Sequence, residues 1–116
     1  VLAARAYGLD VFDSVSNDFH DLDAFAAECD QCRAMGFDGK MLIHPAQIDA
    51  ANRAFAPTEE ALAEAREIIA AFAKPESVEL NVINSNGRMI ERLHVGQAER
   101  LVAMAEIIDQ RKAEKP

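Results

Sequence analysis

Two short apolar runs constrain this chain more than anything else in it: Val11-Phe-Asp-Ser-Val15 and Met41-Leu-Ile43, starting 30 positions apart, at 11 and 41. Each is too short for a helix and is bounded by Asp, Gly or Pro, the pattern of a buried strand. A single helix fits between them. Asp21 is a ready N-cap, Leu22, Phe25, Cys29 and Cys32 recur at steps of three, four and three, and Gly36 is placed to stop the helix after Met35. Strand, helix and strand at this spacing make a βαβ crossover, which sets the two strands parallel in one sheet. Residues 2–7 read as the end of a preceding helix, stopped by Gly8.

The rest of the chain changes character. A short helix over about Ala46–Phe55 follows His44-Pro45. Thr58 then caps a longer one, with Glu59 and Glu60 in the first turn, where carboxylates suit the helix dipole. Leu62, Ala65, Ile69 and Phe72 form its apolar stripe, and Lys74-Pro75 ends it. Val78–Ile83 alternates like a strand, Asn84-Ser-Asn-Gly87 supplies turn chemistry, and Arg88–Glu91 returns as the hairpin partner. A last helix starts near His94, lined by Val95, Ala98, Val102 and Ala105. Two parallel strands cannot bury both their faces, since all-parallel sheets are larger and covered on both sides. The expected fold class is therefore α/β, the C-terminal part of a larger barrel or sheet.

Composition narrows the class. Twenty acids against twelve bases give a net charge of −8, and residues 1–50 hold nine acids and three bases. That balance disfavours binding to nucleic acid or to an anionic membrane surface, both of which call for positive charge. The longest apolar run, Ile68–Ala73, is six residues, whereas a membrane-spanning helix needs about 20. The opening VLAARAYGLD has no basic region leading into an apolar stretch, so no secretory signal is expected. Cys29 and Cys32 could form a redox dithiol or half a zinc site. They lie on the apolar stripe with no second ligand pair, which favours two reduced core thiols and a cytoplasmic protein.

In α/β barrels the chemistry gathers at the C-terminal ends of the strands, which directs attention to residues 14–18 and to His44-Pro45. Asp13, an acid in an apolar strand, either lines a pocket or pairs structurally. His44 is either a ligand contact or general acid/base, or a ring satisfied by the backbone. Gly39-Lys40 lacks the frame of a phosphate loop. Arg88 and Glu91 sit just past a hairpin outside the βα pattern, either on a lid or on an exposed strand end. No cluster of acids has metal-ligand spacing.

The string Gly36-Phe-Asp-Gly-Lys-Met-Leu-Ile-His-Pro45 strongly resembles the citrate lyase β-subunit and malyl-CoA lyase family. Val11–Val15, Asn52–Thr58 and Asn86–Arg100 resemble further segments of that family, in its order, so nearly the whole chain is covered. The resemblance implies the C-terminal part of a (β/α)₈ barrel: its last two βα units over residues 1–56, then a helix–hairpin–helix lid over 57–116. It implies carbon–carbon bond cleavage in 3-hydroxyacyl thioesters of coenzyme A or an acyl carrier, through a thioester enolate. It also implies a Mg²⁺ whose two acidic ligands lie on earlier strands, upstream of this chain, and a homotrimer or hexamer with lid exchange. Carried over residue by residue, Ile43, His44 and Pro45 lie where the thioester carrier enters, and Lys40 starts the last strand as a structural residue. Glu91 stands where the family's lid often has a catalytic Asp, and Arg88 replaces a Lys. A thioester hydrolase or malate-synthase-like variant of the same barrel, and a non-catalytic assembly or carrier-binding module, are the alternatives. The chain by itself is expected to be inactive and to expose apolar sheet edges.

Overall fold

The computed structural model describes residues 1–114 and divides the chain into two compact units, Val1–Ala56 and Pro57–Pro116. In the first unit, α1 (Leu2–Ala6) leads to β1 (Phe12–Asp13), α2 (Leu22–Met35), β2 (Gly39–Lys40), a 3₁₀ turn (Pro45–Gln47) and α3 (Ile48–Phe55). β1 and β2 pair in parallel, Phe12 opposite Gly39 and Asp13 opposite Lys40. The crossover is α2, capped as its sequence dictates. The Asp21 side chain accepts from the Ala24 N–H at 3.0 Å, and Gly36 ends the helix at φ 95°.

The core of this unit is Phe25 and Cys29 of α2 against Ala50, Ala51 and Ala54 of α3, with Leu42 packed alongside. Small alanines let the two helices approach closely, and the aromatic ring fills the space between them. α1 is tied down by Arg5, whose guanidinium makes a two-pronged pair with Asp38 at 2.8 and 2.9 Å and donates to the Gly36 carbonyl. The outer surface of the two strands is uncovered: Phe12 is 59% and Met41 54% exposed.

The ladder does not fall where the apolar runs suggest. Met41–Ile43 is not the paired strand; pairing lies one step earlier, with the Asp38 N–H donating to the Val11 carbonyl and the Met41 N–H to that of Asp13. Beyond that point side chains, rather than a longer ladder, hold the two segments. Lys40 takes the Ser14 carbonyl, and Gln47 takes the Ile43 N–H and the Ser16 carbonyl.

The second unit is α4 (Glu59–Ala73), a 3₁₀ turn (Pro75–Ser77), the antiparallel pair β3 (Val82–Ser85) and β4 (Arg88–Glu91), and α5 (Leu93–Ala113). Thr58 caps α4 by accepting from the Ala61 N–H at 3.2 Å. Leu62, Ala65 and Phe72 of α4 are buried, as are Ala98 and Ala105 of α5. Asn86 and Gly87 both have positive φ, 52° and 79°, the two-residue turn that matches strand twist. The strand expected over Val78–Ile83 begins only at Val82. The Ser77, Val78 and Leu80 carbonyls accept from the Arg92 guanidinium instead of from a partner strand. Among the described residues no helix is long and apolar enough to cross a membrane.

Candidate functional site

The segment after β2 is built around a glutamine. Gln47 is fully buried; its Oε1 accepts from the Ile43 N–H and its Nε2 donates to the Ser16 carbonyl, both at 3.1 Å. One side chain thereby joins the segments that leave β1 and β2. Against this frame Ile43, His44 and Pro45 all lie exposed. His44 Nδ1 accepts from the Ala46 N–H at 3.1 Å, capping the turn that Pro45 opens, so the proton of the neutral ring sits on Nε2. The imidazole stacks on Phe19, centroids 4.4 Å apart and planes 8° from parallel. The three residues form a short apolar and aromatic rim at the C-terminal end of a parallel strand.

Beneath the strand ends lies a polar cluster. The Lys40 side chain has no solvent exposure, and its Nζ donates to Asp13 Oδ2 at 2.7 Å, the Ser14 carbonyl at 2.8 Å and Glu28 Oε1 at 2.8 Å. Burial works against its charge, but the bonds to Asp13 and Glu28 outweigh that, holding its pKa above the ordinary value. Asp13 is lowered to about 2, first by the Cys32 thiol that donates to it at 2.8 Å and then by Lys40. The Lys40 hydrogen bond lowers Glu28 as well. Burial, followed by the Asp13 carboxylate, pushes Cys32 up to about 11, and burial raises Cys29 too. Both thiols are free and buried. A protonated thiol at neutral pH is a poor nucleophile, and with no buried side-chain nitrogen or oxygen left unpaired among the described residues the cluster acts as a bolt between β1, α2 and β2.

Glu91 belongs to the other unit. It closes β4 opposite Val82, half-buried, and no other described side chain bonds its carboxylate. Its own N–H donates to His94 Nδ1 at 3.1 Å. Arg92, next in sequence, clamps the chain before β3 with four hydrogen bonds to the Ser77, Val78 and Leu80 carbonyls and lies 5.0 Å over the Phe72 ring. Arg88 pairs with Glu64 at 2.7 Å in an exposed position, at the edge of a cavity of about 380 Å³ that Ile68, Ile90, His94 and Leu101 also line. Phe19, Gln47 and Arg92 carry no functional signal in the sequence, and His94 marks a helix start without marking a site. Gln47 meets its partner 31 positions away, and only His94, three residues past Glu91 at a helix start, carried a local signal.

Among the described residues no three His, Cys, Asp or Glu side chains converge on a metal position. Asp13 and Glu28, two acids that do come together, share the single positive charge of Lys40.

The geometry defines an α/β segment that presents a rim at a parallel strand end, the arrangement of α/β enzymes that bind substrate there. Residues 1–45 match the family model described as HpcH/HpaI aldolase/citrate lyase. The chain is 45% identical over 108 residues to (3S)-malyl-CoA thioesterase of Cereibacter sphaeroides, covering 93% of this chain and 38% of that protein. It is 39% identical over 103 residues to the citrate lyase β subunit of Leuconostoc mesenteroides subsp. cremoris, covering 89% and 34%. Among solved structures, CitE from Mycobacterium tuberculosis in complex with magnesium, acetoacetate and coenzyme A matches with a TM-score of 0.70 and 32% identity, covering 90% of this chain and 38% of that one. The chain thus spans between a third and two-fifths of the length of these relatives, and it belongs to the aldolase/citrate lyase family.

Proposed function

We propose that residues 1–56 are the last two βα units of a (β/α)₈ barrel and residues 57–116 its lid, in an enzyme that cleaves a carbon–carbon bond of malyl- or citryl-type coenzyme A thioesters. One observation carries the reading. Ile43, His44 and Pro45 are held exposed by a buried glutamine at the C-terminal end of a parallel strand, where barrels bind substrate. Likeness to a citrate lyase β subunit and to a structure holding coenzyme A supports it, as do the uncovered Phe12 and Met41, which suit a larger sheet.

In this reading the Ile43–Pro45 rim receives the carrier end of the thioester. Glu91 moves the proton. Bond cleavage leaves an enolate on the thioester carbon, which needs a proton, and a half-buried carboxyl group with no side-chain partner among the described residues can deliver one. Magnesium, present in the structural relative, has no ligand set among the described residues. Its ligands would come from parts of the enzyme outside this chain. The enzyme would work in the cytoplasm as a trimer or hexamer in which lids serve neighbouring active sites.

Thioester hydrolysis is the second reading, favoured by the 45% identity to malyl-CoA thioesterase. Product analysis separates the two. Cleavage of the carbon–carbon bond gives an oxo-acid and a shorter acyl thioester with no free thiol, while hydrolysis gives the hydroxy-acid and free coenzyme A thiol. In the intact protein, Glu91→Gln should lower turnover about 100-fold while leaving unfolding unchanged; unchanged turnover removes Glu91 from the mechanism.

A further inference from the structure

We infer that His94 is the positioning residue for Glu91, an inference that rests on the proton-transfer role proposed above for that glutamate. The hairpin's own geometry creates the need. In an antiparallel pair, opposed residues alternate between those that exchange backbone hydrogen bonds and those that do not. Ser85 and Arg88 flank the two-residue turn as a bonded pair, so Ile83 and Ile90 are bonded and Val82 and Glu91 are not. The next bonded contact is the Arg92 N–H to the Asn81 carbonyl at 2.8 Å. The Glu91 N–H therefore points away from β3, with no ladder partner. It sits where strand turns into helix, and the α5 backbone cannot take it either, because a helix start presents donors rather than acceptors.

His94, the second residue of α5, supplies the missing acceptor. Its Nδ1 takes the Glu91 N–H at 3.1 Å, reaching back three residues. This resembles the reciprocal half of a capping box, in which a first-turn side chain accepts from a backbone N–H just before the helix. Only an Nδ1 without a proton can accept. The bond fixes the Glu91 backbone, and with it the direction in which the carboxylate leaves the chain. Arg92, the following residue, is itself tied to the 77–80 segment, so Glu91 is set between two anchors. General acid–base chemistry depends steeply on such placement, and a shift of about 1 Å can cost as much as a 100-fold loss of rate.

The test uses three variants of the intact protein. His94→Ala removes the acceptor. His94→Asn keeps one, because Asn Oδ1 stands where Nδ1 stood. Glu91→Gln removes the acid. We expect His94→Ala to lower kcat roughly ten-fold with KM within about two-fold, and His94→Asn to restore most of the loss. Adding His94→Ala to Glu91→Gln should lower kcat no further, because the histidine acts through the glutamate. Hydrogen–deuterium exchange of a peptide spanning Glu91 should be faster in His94→Ala and unchanged in His94→Asn. If Glu91→Gln is impaired while His94→Ala keeps full kcat, the positioning role is overturned and the function of Glu91 stands. Additive losses in the double variant overturn it as well. If Glu91→Gln keeps full turnover, both ideas fall, and the exchange data alone report on the hydrogen bond.

Discussion

The Lys40 ammonium meets the Asp13 carboxylate at 2.7 Å, with the lysine side chain wholly out of water and the aspartate a quarter exposed. This asymmetry sets the consequence of breaking the pair. An isolated buried charge is costly, whereas a partly exposed carboxylate can recover some hydration. Asp13→Ala leaves Lys40 buried with Glu28 and the Ser14 carbonyl as its remaining partners. Lys40→Met leaves two carboxylates facing each other. We expect Lys40→Met to cost about 3 kcal/mol, read as a lower midpoint of urea unfolding with an unchanged slope. A loss below about 1 kcal/mol would place the contact with surface ion pairs and refute its role as a bolt.

The same cluster sets a pH window. Asp13 lies at about 2 in the folded chain against an ordinary 3.8, so its contribution is full above pH 4 and fades as pH falls toward 2. Cys32 lies at about 11 against 9.0, so its contribution is full below pH 9 and fades as pH rises toward 11. The difference in melting temperature between the parent and Cys32→Ala should be flat from about pH 4 to 9 and shrink on both sides. A Cys32→Ala profile parallel to the parent over the whole range would refute the coupling.

Gln47 invites a sharper test because it satisfies two backbone groups at once. Gln47→Leu fits the space roughly but strands the Ile43 N–H and the Ser16 carbonyl. We expect a loss of about 2–4 kcal/mol, since unpaired polar groups shielded from water cost about 1–3 kcal/mol each. If the rim binds the thioester carrier, KM for the thioester should rise more than kcat falls. A stable variant with unchanged KM would separate Gln47 from the binding rim.

The helices were legible in the sequence because their signals are local. Asp21, Gly36 and Thr58 do at the helix ends what their side chains or φ freedom allow. Strand positions were less so. Met41-Leu-Ile43 looks like a strand because it is apolar, yet the Ile43 N–H, the donor a longer ladder would use, goes to the Gln47 side chain instead. The Val78–Ile83 alternation misled for a similar reason: Arg92, more than ten residues away, captures its carbonyls. Asp13 and Lys40 each stand out in the sequence, but that Glu28 and Cys32 join them depends on how α2 packs, which no local pattern encodes. Of the rim residues, His44 and Pro45 stand out by their place after a strand, and Ile43 only through the resemblance.

Arg92 supplies the last prediction. Its guanidinium makes four hydrogen bonds to three carbonyls while stacking over Phe72, work that needs a planar fork rather than a point charge. Lysine keeps the charge but cannot reach three carbonyls in that geometry. We therefore expect Arg92→Lys and Arg92→Met to be nearly equal, each costing about 2 kcal/mol. Exchange of backbone hydrogens should quicken in a peptide spanning residues 76–82 and stay unchanged in one spanning 22–35. Should Arg92→Lys behave like the parent, charge alone holds the segment and the fork is dispensable. Should neither variant loosen residues 76–82, those carbonyls are held by something other than Arg92, and the anchor beside Glu91 is lost with it.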